Sequence, residues 1–251
     1  MKKQIYLDYA ASTPIDPRVL RVMMPYLKEE YGNPSSTHQF GQRAQAAIEK
    51  AREQTARFLH CKADEIVFTG GATEANNLVI RGIAGVGKKK VHIVTSAIEH
   101  ESVLEPCRTL EKQGIAEVTY LKPQADGVLR VEDILGAITD NTVLVSIVYA
   151  NSEIGTIQPV QEIGRGIQEI RSNKNGDWPV FHIDAVQAAN FLDCNVETLG
   201  ADFVTLSGHK IYGPKGVGVL YKKEKTFLSP VLKGGGQEMG LRSGTENVVG
   251  I

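Results

Sequence analysis

The segment Ser207–Lys210 follows the apolar run ADFVTL and places an amine at the mouth of a buried strand. A lysine that serves only solubility snorkels to the surface. In a partly dry, polar pocket the same amine sheds its proton and attacks carbonyl carbon. Other reactive groups follow other apolar runs. TGGATEANN (69–77) joins two glycines to a helix opening at Ala72 and Thr73. Free N–H groups and the positive dipole end at such a start suit a phosphate. FHIDAVQ ends a buried run on Asp184, with Gln187 three residues on and in reach of the same space. A carboxylate there is costly unless it meets a donor or a cation. His100, in SAIEHESV, offers a flat partner for an aromatic ring and a proton carrier near neutrality. Asn151 follows a further run, and Ser207 and His209 add small hydrogen-bonding groups beside Lys210. Each has an ordinary alternative. The glycines make a turn with an N-cap, the histidine is structural, the asparagine serves its own turn, the aspartate caps the next helix, and the lysine is a surface charge.

The elements that position these groups are legible in the hydrophobic pattern. An extended arm over residues 1–15 precedes a helix with Asp16 as N-cap, Pro17 in its first turn and Leu20, Met23, Met24 and Leu27 on one face. Gly32 ends that stretch. Phe40, Ala44, Ala47, Ile48, Ala51 and Phe58 mark a second, longer amphipathic helix. Apolar runs then recur at 66–69, 91–95, 118–121, 143–149, 180–183, 203–206 and 217–221, with helical stretches such as 73–84 and 160–170 between them. Continuous rather than alternating apolar runs belong to strands covered on both faces. The pattern predicts an α/β fold with a mainly parallel seven-stranded sheet flanked by helices. Ligands of such sheets gather at the carboxyl ends of the strands, where the reactive residues stand.

Composition narrows the function classes. The net charge of -1 lacks the basic excess that nucleic-acid or membrane-surface binding requires. No apolar run approaches the roughly 18 residues of a membrane span, and the N-terminal MKKQIYLDYAAS breaks at Asp8 and does not read as a signal peptide. The three cysteines, Cys61, Cys107 and Cys194, are scattered and lack metal-ligand spacing, as expected of a reducing cytosol.

A phosphate cradle, an acidic partner for a ring nitrogen, a ring-stacking group and an amine at one sheet edge are the set that pyridoxal 5'-phosphate requires. Neither a nucleotide P-loop nor a G-x-G-x-x-G turn between strand and helix is present. In order along the chain, YLDYAASTP, GNPSSTH, FTGGATEANN, EHESVL, NSEIG, HIDAVQ, SGHKIYGPKG and RSGTEN resemble the motifs of NifS/IscS-type cysteine desulfurases. These are fold-type I pyridoxal-phosphate enzymes of the class V aminotransferase group. The resemblance implies a large cofactor-binding domain over 16–251. It implies Lys210 as the Schiff-base lysine, and Ala72, Thr73, Ser207 and His209 on the phosphate. His100 would stack on the ring and assist proton transfer, Asp184 would pair with the ring nitrogen, and Gln187 would bond the ring oxygen. Asn151 would lie near ring and substrate, and Thr245 would reach the phosphate of a neighbouring subunit in a homodimer.

The implied reaction takes L-cysteine to L-alanine and leaves sulfur as an enzyme persulfide for iron–sulfur scaffolds or tRNA thiolation. The chain stops at Ile251, before the family's small C-terminal domain with its sulfur-accepting cysteine and substrate-clamping arginine. None of Cys61, Cys107 and Cys194 matches that cysteine, and all three read as small apolar residues. Activity of these residues alone is therefore open. Two alternatives stand beside this reading: a related lyase or transaminase such as selenocysteine lyase, and a non-catalytic dimerisation module.

Overall fold

A computed structural model of the protein describes residues 4–85 and 90–251, so residues 1–3 of the expected arm lie outside the described residues. Helix α1 (Pro17–Lys28) opens on Asp16, whose carboxylate accepts the Arg18 N–H at 2.7 Å. Helix α2 (Gln39–Leu59) follows, capped by the His38 side chain. The chain then runs through β1 (Ile66–Thr69), α3 (Ala72–Ala84), β2 (Val91–Ser96), α4 (Glu101–Lys112) and β3 (Ala116–Leu121). It continues through α5 (Val131–Gly136), β4 (Thr142–Val148), α6 (Val160–Lys174), β5 (Val180–Asp184) and α7 (Val196–Leu199). Strands β6 (Phe203–Ser207) and β7 (Gly218–Lys222) complete the sheet, with a one-turn 3-10 helix at Gly208–Lys210 between them.

The seven strands lie in the order β1-β7-β6-β5-β4-β2-β3. Strand β7 runs antiparallel to both neighbours, and the other pairs are parallel. The expected mainly parallel seven-stranded α/β sheet is therefore the fold. The carboxyl ends of β1, β2, β4, β5 and β6 share one edge, because β1 and β6 both oppose β7. Each face of the sheet buries its own cluster. Ile48, Leu59, Ile163, Ile167, Phe181 and Ile183 fill one side, under α2 and α6. Leu78, Val79, Ile83, Val103, Cys107 and Leu110 fill the other, under α3 and α4. Strand β3, at the sheet margin, departs most from continuous burial, since most of its residues are half-exposed.

Both expected helices form, and burial shows which of their residues meet the core. The face Leu20, Met23, Met24 and Leu27 is not a core face: α1 has no buried residue, and Leu20 and Leu27 are exposed. Met23 and Met24 on the same face are half-buried. In α2 the buried stripe is Gly41, Ala44, Ile48, Arg52, Ala56 and Leu59. Phe40 and Phe58 each stand one residue beside that stripe and are exposed. Phe40 instead lies under the Arg43 guanidinium, 5.1 Å from ring centroid to Cζ.

Arg52 on the α2 stripe makes a buried ion pair that ties the end of the chain to the sheet. Its guanidinium bonds both Glu238 oxygens at 2.8 and 2.9 Å and the Ile66 carbonyl at 2.6 Å, while Phe68 N–H donates to Glu238 at 2.7 Å. Removing one partner leaves an unpaired buried charge. We expect Glu238→Ala to lose about 3–5 kcal/mol of unfolding free energy in urea titrations, and the double variant Arg52→Met/Glu238→Leu to recover much of it.

A second buried carboxyl joins strand ends. Glu99 accepts hydrogen bonds from the Ser96 hydroxyl at the end of β2 and from Val148 N–H on β4 at 3.0 Å. Its Oε2 has no partner, and burial pushes its carboxyl up to about 8. Between the ordinary carboxyl range and pH 8 the unfolded chain releases a proton that the folded chain keeps, so stability falls as pH rises. Glu99→Gln removes this slope. Urea melts from pH 5 to 8 should show the variant gaining on the wild type with rising pH, by at most about 1.4 kcal/mol per unit; parallel curves would refute it.

Candidate active site

The shared carboxyl edge of the strands opens into a cleft of ≈ 1340 Å³. Ala72, Thr73, His100, Asn151, Asp184, Gln187, Ser207, His209 and Lys210, drawn from five separate motifs, line this one space. Thr245 does not. It lies exposed on the segment after Arg242, which is tied to the start of α3 by its ion pair with Glu74 at 2.8 Å.

The turn between β1 and α3 depends on glycine twice. Gly71 has φ +145°, and a Cβ on Gly218 of β7 would meet the Gly71 carbonyl carbon at 2.5 Å. Only two glycines let β7 press against this turn. The turn delivers α3 with the N–H groups of Ala72 and Thr73 free of intrahelical partners, as at any helix start. Across from them, Ser207 Oγ and His209 Nδ1 are 2.9 Å apart. Burial, with Lys210 and Lys215, holds the His209 imidazole below its ordinary value.

Asp184 ends β5 almost fully out of water. Its Oδ1 accepts Val186 N–H at 3.1 Å and its Oδ2 accepts Asn76 Nδ2–H at 2.8 Å. Burial raises its carboxyl; these two bonds, with His100 and Lys210, act in the opposite direction. Lys210 ends the one-turn helix after β6, and burial lowers its ammonium below the ordinary lysine value, against the pull of Asp8 and Asp184. Its Nζ donates to the carbonyls of Ala10 and of Ala11, the latter at 3.0 Å. Gln187 Nε2 donates to the same Ala10 carbonyl at 2.9 Å.

His100 caps α4, its Nδ1 accepting from Ser102 N–H at 3.0 Å and lying 2.7 Å from Ser102 Oγ. Asn151 lines the cleft, but its amide is engaged with backbone. It donates to the Ile98 carbonyl at 2.9 Å and accepts from the N–H groups of Glu153 and Ile154. Here the ordinary reading, an asparagine serving its own turn, describes the contacts seen.

Several cleft residues escape a reading of strand ends. The arm Asp8–Ser12 lies along the cleft and is pinned below it, where Thr13 N–H and Oγ1 both bond the His209 carbonyl at 2.9 Å. Nothing in an extended polar segment signals this. Asn76 and Ser102 are also buried beside the cleft. Asn76 had a readable signal, since it occupies the stripe that continues as Val79, Ile80 and Ile83. The cysteines stay apart: none lines the cleft, and burial pushes the thiols of Cys61 and Cys107 up to about 12 and that of Cys194 to about 11. Such thiols are poor nucleophiles.

The donor set fits pyridoxal phosphate. A helix start with free N–H groups suits a phosphate, and a buried carboxylate without a direct cationic hydrogen-bond partner suits a protonated ring nitrogen. A desolvated amine faces the same space.

Comparison with known proteins agrees. The family profile described as aminotransferase class-V matches residues 5–251. The chain is 48% identical over 252 residues to the cysteine desulfurase IscS of Dictyoglomus turgidum, covering all of this chain and 62% of that protein. It therefore spans about three fifths of the length of the curated relatives it matches. A solved NifS-like protein superposes with a TM-score of 0.93 at 40% identity, over 99% of this chain and 67% of that one. A structure described as SspA in complex with cysteine gives 0.91 at 42% identity, over 98% and 70%. The chain belongs to the aminotransferase class-V family of pyridoxal-phosphate-dependent proteins, alongside the cysteine desulfurases of NifS/IscS type.

Proposed function

We propose that this chain is the cofactor-binding part of a cysteine desulfurase that takes L-cysteine to L-alanine. The observation that carries the reading is the meeting, in one cleft, of a desolvated amine, a buried carboxylate and an open helix start: Lys210, Asp184 and Ala72–Thr73. Similarity to named cysteine desulfurases and to a relative solved with cysteine supports the substrate. Residues 1–15 form the arm and 16–251 the large domain of this assignment.

Bound pyridoxal phosphate supplies an electron-accepting ring that stabilises negative charge on the substrate carbon. Ala72, Thr73, Ser207 and His209 would hold its phosphate, Lys210 would anchor it covalently, and Gln187 would bond its ring oxygen. Asp184 would hold positive charge at the ring nitrogen, where a buried carboxylate is most effective. His100 would lie over the ring and hold or move a proton at Nε2, with Asn151 near the substrate. The low dielectric around Lys210 favours the neutral amine that nucleophilic attack requires. The arm carbonyls of Ala10 and Ala11 now receive the amine's hydrogen bonds, so Lys210 must exchange these contacts to react.

The sulfur passes to a cysteine outside these 251 residues, since Cys61, Cys107 and Cys194 lie away from the cleft with raised thiols. From there a persulfide serves iron–sulfur scaffolds or tRNA thiolation in the cytoplasm. No described helix is long and apolar enough to cross a membrane. Thr245 would complete the phosphate site of a second subunit in a homodimer; its exposure outside its own cleft supports that role.

Purified chain mixed with pyridoxal phosphate should gain an absorption band at the blue edge of the visible, resistant to dialysis. Lys210→Ala should lack it while keeping the same far-UV circular dichroism. A wild-type chain that stays colourless after reconstitution would sink the assignment. Thr245→Ala should weaken retention of the cofactor, and mixing Thr245→Ala with Lys210→Ala should restore a site in mixed dimers.

A further inference from the structure

The cleft wall behind His100 and Asp184 holds a continuous hydrogen-bonded chain. Asn76 on α3 is fully buried, and its Nδ2 lies 2.8 Å from Asp184 Oδ2 and 2.9 Å from Ser102 Oγ. Ser102 Oγ lies 2.7 Å from His100 Nδ1. The end of β5, helix α3 and the start of α4 are thus joined through two side chains that do not carry charge.

The direction of every bond in this chain follows from one fixed donor. Ser102 backbone N–H points at His100 Nδ1 at 3.0 Å and can only donate. Nδ1 is therefore an unprotonated acceptor, and the neutral ring carries its hydrogen on Nε2. The Ser102 hydroxyl, 2.7 Å from the same nitrogen, must then donate to it. Its oxygen is left as acceptor toward Asn76, so the atom of Asn76 that faces it is the amide nitrogen. The second hydrogen of that nitrogen goes to Asp184 Oδ2, which accepts it. Asn76 Oδ1 meanwhile is buried with no partner. An apolar side chain would complete the α3 stripe without that penalty. The amide is explained by its two donated bonds, which no apolar residue supplies.

Resting on the cofactor-binding reading for its consequence, we propose that Asn76 and Ser102 are positioning residues that hold His100 as the Nε2–H tautomer facing the cleft and Asp184 as an ionised acceptor. His100 then meets bound ligands with a hydrogen to give at Nε2. The charged and titratable groups that face Asp184 are His100 at the start of α4, Lys210 after β6, and Glu99 at the end of β2, with Asp8 of the arm facing Lys210. None of these replaces the Asn76 bond.

The test uses the chain labelled with 15N-histidine and 13C-carboxyl aspartate, without cofactor, with His100→Gln and Asp184→Asn used for assignment. The wild type should show His100 as the Nε2–H tautomer. Ser102→Ala keeps the backbone donor but loses the hydroxyl, so the Nδ1–H share should rise roughly fivefold, the effect of one neutral hydrogen bond. Ser102→Thr, which keeps a hydroxyl, should restore the wild-type ratio. Asn76→Ala should move the Asp184 titration up by roughly one pH unit. An Nδ1–H tautomer in the wild type, or an unchanged ratio in Ser102→Ala with an unmoved Asp184 in Asn76→Ala, overturns the proposal. Reconstitution with pyridoxal phosphate separates the two readings. A yellow protein with unmoved signals refutes only the positioning role, and a colourless one with the expected signals refutes only the cofactor assignment.

Discussion

A carboxylate held out of water at the end of β5 is the constraint on which the cleft is built. An isolated ion there would be neutralised rather than tolerated. Asp184 is instead met by an N–H from its own turn, by the Asn76 amide, and by the fields of His100 and Lys210. Each of these comes from a different element: the loop after β5, helix α3, the start of α4 and the turn after β6. The shared direction of β1, β2, β5 and β6 brings these elements to one edge, and the sheet is in this sense a device for surrounding one negative charge. Lys210 completes the balance from the other side, because the desolvation that raises the carboxyl lowers the amine.

The arm adds a second layer of order. Its Ala10 carbonyl receives bonds from both Gln187 and Lys210, and its Thr13 is pinned to the His209 carbonyl. An otherwise exposed segment with Ile5, Tyr6, Leu7 and Tyr9 open to solvent is thereby fixed across the mouth of the cleft. The same contacts satisfy the amine while it has no carbonyl carbon to attack. A lysine held by two neutral carbonyls is bound less firmly than one paired with a carboxylate, which leaves it free to exchange.

How much of this was legible depends on whether burial or contact sets the residue. The sheet and its strand ends were readable because parallel strands covered on both faces leave continuous apolar runs, as in Val180–Asp184 and Phe203–Ser207. The cleft-lining residues were readable as a group: each has an ordinary alternative alone, but all follow strand ends that a parallel sheet gathers at one edge. The exposure of Leu20 and Leu27 on α1 was not legible, because periodicity says which residues share a side and not whether anything covers it. Phe40 and Phe58 mark α2 correctly, but size does not report their one-residue offset from its buried stripe. The Asn76–Ser102 link spans 26 residues of chain and two helices, and no local pattern encodes a side-chain bond of that kind. Thr245 and the domain boundaries depend on the resemblance alone.

The proton inventory of the cleft follows from comparing its two buried carboxyls. Glu99 and Asp184 stand close enough to act on each other, and like charges in a dry site do not both ionise freely. Both accept a backbone N–H and a side-chain bond: Val148 and Ser96 for Glu99, Val186 and Asn76 for Asp184. They differ in their cations. Asp184 has His100 and Lys210 in its field, and no cation acts on Glu99 to the same end. These contacts favour the proton on Glu99, whose Oε2 lacks any donor, and the charge on Asp184, as the proposed positioning by Asn76 requires. Environments that push two acids apart in this way assign their roles. Glu99 is the neutral strut between β2 and β4, and Asp184 is the ion that the cleft presents to what it binds.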